Sequence, residues 1–80
     1  VDEGATTKIL HHGASLLPSG ITKTTSHFER GAIVHIVDPL DQPIAVGITN
    51  YGNKEIQHLI GMHSTKIEDI LEYSYGPKIV

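Results

Sequence analysis

A chain of eighty residues without a single cysteine has to hold itself together by packing alone. A domain this small buries only somewhat more than ~60% of the surface it exposes when unfolded. Neither a disulfide framework nor a thiolate zinc site is available to supplement that burial. The sequence therefore predicts one compact core and leaves no room for two lobes around a catalytic cleft. Apolar residues at 39% against 19% charged are enough for a packed core and too balanced for a disordered segment.

The formal charge of −3 with histidines neutral supplies no long-range attraction for phosphate backbones, which weighs against strong RNA binding. No apolar run approaches the ~20 residues of a membrane span, and Val1–Gly4 carries no basic segment of a signal peptide, so a cytoplasmic setting is the expectation. The sequence opens at Val1 without an initiator methionine. It stops at Lys78-Ile79-Val80, a β-prone apolar run with no closing turn. A fragment of a longer polypeptide, with its final strand truncated, is the reading.

Asp2 is placed to N-cap a helix over roughly Glu3–His12, in which Ala5 and Ile9 lie four apart and Gly13 supplies a left-handed stop. Ser15-Leu16-Leu17 and the threonine-rich Ile21–Ser26 read as strands on either side of a Pro18-Ser19-Gly20 turn. Phe28, the only phenylalanine, reads as a core anchor beside the Glu29-Arg30-Gly31 turn. Ala32–Val37 and Pro43–Thr49 form a hairpin across Asp38–Gln42. The period then changes: Ile56, Leu59 and Ile60 make a helical stripe with Asn53 as cap and Gly61 as stop. Thr65-x-x-Glu68 has capping-box spacing ahead of Ile67, Ile70 and Leu71, which predicts a third short helix. So many short strands punctuated by glycine and proline predict a mainly β domain with short helices, built as a small pseudo-barrel that removes exposed sheet edges.

Catalytic and metal chemistry finds little purchase. None of the eight glycines builds a G-x-G-x-x-G or P-loop cradle, so ATP binding by this chain is not expected. His11 and His12 are neighbours that diverge by about 100° on a helix. His58 and His63 straddle the Gly61 break without a carboxylate or cysteine at ligand spacing. No metal site or cofactor follows. Ser26-His27 and His63-Ser64 are sequence neighbours only, and Asp69 with Glu72 reads as a solvated face. No catalytic residue is assigned. Lys8, Lys23 and Arg30 are the nearest approach to a basic strip and read as solvated cations on an acidic domain.

Several strings together form a pattern: Val1-Asp2-Glu3-Gly4-Ala5, Gly13-Ala14-Ser15-Leu16-Leu17-Pro18-Ser19-Gly20-Ile21, Phe28-x-Arg30-Gly31, Asn50-Tyr51 and Ile70-Leu71-x-Tyr73. Over essentially its whole length the chain resembles the PUA domains of bacterial glutamate 5-kinases, and the string from Gly13 to Ile21 is the specific part. It departs from them at Ala32, where an aspartate is common, at Gly52-Asn53, where serines are usual, and at Glu72, where glycine is usual.

The resemblance implies a PUA-like pseudo-barrel over residues 1–80, preceded in the parent by an amino-acid-kinase domain that these residues do not include. The parent enzyme would phosphorylate glutamate with ATP and magnesium in proline biosynthesis, and this chain would be a non-catalytic module affecting assembly or regulation. Its partners would be the parent's own kinase domain and sister subunits. Other PUA domains grip RNA with the first helix and adjoining strand. By that analogy Thr6, Lys8, His12, Ser15 and Lys23 form the candidate surface for RNA or a partner, with weak RNA binding as the alternative function.

Overall fold

The computed structural model describes residues Val1–Val80 as three helices and one hairpin: α1 (Glu3–His12), β1 (Ile33–Val37), β2 (Pro43–Ile48), α2 (Asn53–Leu59) and α3 (Ile67–Leu71). Short 3₁₀ turns occupy Pro18–Gly20 and Ser64–Lys66. The α1 helix starts as its sequence dictates. The Asp2 carboxylate accepts from the Ala5 N–H, and Gly13 closes the far end at φ 59°, donating to the Lys8 carbonyl. No helix is long and apolar enough to cross a membrane.

The antiparallel hairpin runs from Ile33 opposite Ile48 to Val37 opposite Pro43, with a register shift between Ile36 and Val37. Gly31 opens it as a β-bulge. The Gly31 N–H donates to the Thr49 carbonyl while the Thr49 N–H donates to Ala32, so two residues face one. The φ of +90° at Gly31 is the left-handed conformation that a bulge with glycine at its first position requires.

The core is a cluster of Leu16, Ile21, Ile36, Tyr51, Ile56, Leu59, Ile67 and Ile79. Its stripes come from the predicted helical spacings of α2 and α3, while α1 contributes only half-buried Ala5 and Ile9 to its edge. Two caps differ from expectation. Gly52 is the N-cap of α2, and its N–H donates to the Glu55 carboxylate at 2.8 Å. Asn53 instead turns its buried side chain to the Phe28 N–H. The turn before α3 is capped by His63, whose Nδ1 accepts from the Thr65 N–H, rather than by a Thr65–Glu68 box.

The predicted strands at Ser15–Leu17 and Ile21–Ser26 and the terminal strand do not form. Leu16 is clipped to the end of the chain by two bonds, Leu16 N–H to the Val80 carbonyl and Ile79 N–H to the Leu16 carbonyl, but no ladder extends from them. Thr22–His27 makes no main-chain hydrogen bond. β propensity records how well a side chain suits a pleated, half-buried surface rather than a backbone preference, and threonines without a partner strand have no such surface. The architecture is an α+β fold whose single sheet has two strands. The expected barrel closure is absent.

Candidate functional site

Two cavities flank the Leu16–Ile21 segment. The smaller, about 190 Å³, lies between α1 and the Pro18–Gly20 turn and includes Asp2, Lys8, Ser15 and Ser19 in its wall. The turn is pulled tight against the helix by the bond from the Asp2 N–H to the Gly20 carbonyl at 2.9 Å. A methyl group at Gly20 would stand 2.7 Å from the Ala5 Cβ, so the absence of a side chain there sets how closely helix and turn approach.

The five residues proposed from sequence as an RNA or partner surface do not share one cavity. Lys8 and Ser15 are both exposed and share the small cavity. Thr6 is half-buried, and its hydroxyl donates to the Asp2 carbonyl within its own helix. His12 is exposed in the last turn of α1 and lines neither cavity. Lys23 lies with the larger groove and pairs with Asp41 of the hairpin turn at 3.2 Å. With both side chains more than half exposed, that pair adds little to stability. No three His, Asp or Glu side chains are grouped as metal ligands.

The larger groove, about 390 Å³, runs between β1 and Thr24–Phe28. Its floor is apolar, from Val1, Ile21, Ile36, Ile56, Ile79 and Val80, and Lys23, His27 and His35 lie on its walls. Phe28 packs on the core from this side and is only partly buried, because one side of it borders the groove. His27 is held by the Glu29 carboxylate at 3.2 Å.

On another face stands a tyrosine cluster that sequence reasoning did not assemble. Tyr51 is fully buried. Its hydroxyl donates to the Gly76 carbonyl at 2.7 Å and accepts from the Tyr75 N–H at 2.8 Å. Tyr75 leans on Tyr51 with centroids 5.4 Å apart, Tyr73 on Tyr75 at 5.3 Å, and the Arg30 guanidinium lies 3.7 Å over the Tyr75 ring. The Tyr73 hydroxyl donates to the Glu55 carboxylate, the same group that holds the Gly52 N–H. That bond to a carboxylate raises the Tyr73 phenol to about 12. The available signal was the Tyr73-x-Tyr75 pair downstream of Tyr51: a buried tyrosine needs a partner for its hydroxyl, and a chain turn rich in main-chain groups can supply one.

Comparison with known proteins gives a consistent result. The PUA domain family matches residues 1–71. The chain is 45% identical over all 80 residues to the glutamate 5-kinases of Citrobacter koseri and of an Enterobacter species, and 44% identical to that of Escherichia coli. It spans 22% of the length of each of these curated relatives.

Proposed function

The chain belongs to the PUA domain family, and from that premise we propose that it is the accessory, C-terminal domain of a glutamate 5-kinase. The parent enzyme transfers the γ-phosphoryl group of ATP to the side-chain carboxylate of glutamate, in proline biosynthesis. ATP and magnesium are held by the kinase domain of the same polypeptide. The domain described here acts on that catalysis from outside, through assembly or the response to proline, and works in the cytoplasm. The observation that carries this reading is identity of 44–45% across the full 80 residues to proteins named glutamate 5-kinase.

An RNA-binding module is not the favoured reading. Of the five candidate residues only Lys8 and Ser15 share a cavity, Lys23 is paired with Asp41 on another side, and the net charge is −3. RNA recognition ordinarily uses a basic stripe or aromatic stacking platforms.

The test is an assay of three preparations with glutamate, ATP and magnesium: the parent polypeptide, the same protein lacking this domain, and the 80-residue chain. The parent should turn over, the shortened enzyme should keep turnover with a several-fold change in proline inhibition, and the 80-residue chain should stay at background. Glutamyl phosphate made by the 80-residue chain, or none made by the parent, would overturn the reading.

A further inference from the structure

Antiparallel strands that cover a core on one side and meet water on the other alternate apolar with polar residues. This hairpin breaks that pattern. Its strands read Ile33-Val34-His35-Ile36-Val37 and Pro43-Ile44-Ala45-Val46-Gly47-Ile48, with His35 the only polar side chain and no charged one. The inner face is settled by Ile36 in the core and by Gly47, where an added methyl group would meet the Val80 side chain at 2.6 Å. With a period of two, Ile33, His35, Val46 and Ile48 then stand together on the outer face. Ile33 pairs across the strands with Ile48, and His35 with Val46. Ile33, Val46 and Ile48 are 73%, 60% and 63% exposed. Val46 and Ile48 line neither cavity, so this patch is separate from the groove.

We propose that this outer face of the hairpin is the surface on which the kinase domain of the same polypeptide packs. The inference rests on the reading of the chain as the C-terminal domain of a longer enzyme, since it spans only 22% of the length of its curated relatives. The point where the two domains join favours this occupant. The Val1 nitrogen donates to the carbonyl of Val37, the last residue of β1, at 2.9 Å, and the Asp2 N–H is tied to the Gly20 carbonyl. A preceding domain is therefore tethered at a fixed point on the hairpin. His35 lies two residues from Val37 and Ile33 four, about 7 and 13 Å along the strand.

Area argues against a second copy of the domain in this place. Three neighbouring aliphatic side chains expose on the order of a few hundred Å², whereas a stable interface between free partners buries about 800 Å² on each. A tethered domain needs less, because the connection supplies a high effective concentration and removes most of the cost of association. The covering surface is apolar opposite Ile33, Val46 and Ile48. It brings one hydrogen-bonding group to His35, since a buried imidazole without a partner is costly.

Photocrosslinking of the full parent polypeptide tests the contact, with benzoylphenylalanine in place of Val46 and, in a second protein, in place of Ile48. The expected product keeps the mass of a single polypeptide, and its digest links the substituted position to a peptide that precedes Val1. A main product of twice the polypeptide mass would overturn the proposal by assigning the face to another copy. No crosslink at either position, or links confined to the 80 residues of this domain, would overturn it as well. Glutamate kinase activity of the unsubstituted parent, measured alongside, separates the two readings. An active enzyme without the interdomain link removes the packing face alone, and an interdomain link in an inactive protein removes the kinase assignment alone.

Discussion

The tyrosine side and the groove side of this small domain are built on opposite terms. Around Tyr51 the buried side-chain polar groups are engaged. The hydroxyl serves Gly76 and Tyr75 together, buried Thr49 donates to the Tyr51 carbonyl, and Asn53 ties the Phe28 turn to α2 through its side chain and its N–H. The groove also has an apolar floor, but the main chain of Thr22–His27 and the outward main-chain groups of Ile33 and His35 lack partners. The difference teaches that hydrophobic residues can bring two segments face to face without fixing them, because hydrogen-bonded pairing supplies the register.

Removing the Tyr51 side chain should produce the largest change. Tyr51→Ala leaves a cavity among Leu59, Ile67 and their neighbours and strips partners from Gly76 and Tyr75. A loss of about 3–5 kcal/mol is expected, which is comparable to the whole stability of a small domain. Urea melts of the two proteins measure it, and a loss below about 1 kcal/mol would erase the contrast. Phe28→Ala, on the groove side, should cost clearly less, because part of that ring borders the groove.

Next in size is Gly20→Ala, which places a methyl group 2.7 Å from the Ala5 Cβ. Neither backbone can retreat without breaking the Asp2–Gly20 bond, and overpacking of this kind costs about 1–3 kcal/mol. Thermal unfolding should show it as a lowered midpoint. An unchanged midpoint would mean that α1 moves freely against the turn.

Glu72→Gly works in the opposite direction. Glu72 closes α3 at φ 69°, the left-handed region that costs an ordinary residue roughly 1–2 kcal/mol. Glycine there should stabilise the domain by up to about 1 kcal/mol, read as a raised urea midpoint.

The smallest effect sits on the surface. With the Tyr73 phenol raised to about 12 by its bond to Glu55, the neutral phenol is favoured in the folded state. The associated stabilisation is complete below the ordinary tyrosine value of about 10 and is lost as pH rises through the folded value. Glu55→Gln should bring the Tyr73 titration back toward about 10, followed by phenolate absorbance. No shift would mean that the carboxylate does not hold the phenol.

Much of this was legible in the sequence, and the failures share one cause. α1 was readable to its ends because Asp2 and Gly13 are local signals, and the hairpin because its turn and its β-prone flanks are contiguous. The stripes of α2 and α3 followed from their period. Asn53 and Thr65 were read as caps because their residue types suit that role, but the N-caps went to Gly52 and His63, and Asn53 was taken up by Phe28, 25 residues away. The strands at Ser15–Leu17 and Ile21–Ser26 failed for lack of partners, which no local pattern reveals. The proposed surface of Thr6, Lys8, His12, Ser15 and Lys23 rested on family analogy, and the structure distributes it over two cavities and a helix end. The glutamate 5-kinase likeness, by contrast, lay in contiguous strings such as Gly13–Ile21 and needed no structure.

Residue-resolved amide exchange on the 80-residue chain tests the contrast between the two sides most directly. The amides of Asn50, Asn53 and Ile56, each donated to a main-chain carbonyl in the stretch that carries Tyr51, should be the slow class. Those of Thr22–His27, Ile33 and His35 should exchange at least about a hundredfold faster. Equal protection on the two sides would contradict the account, since the groove walls would then be paired as firmly as the core.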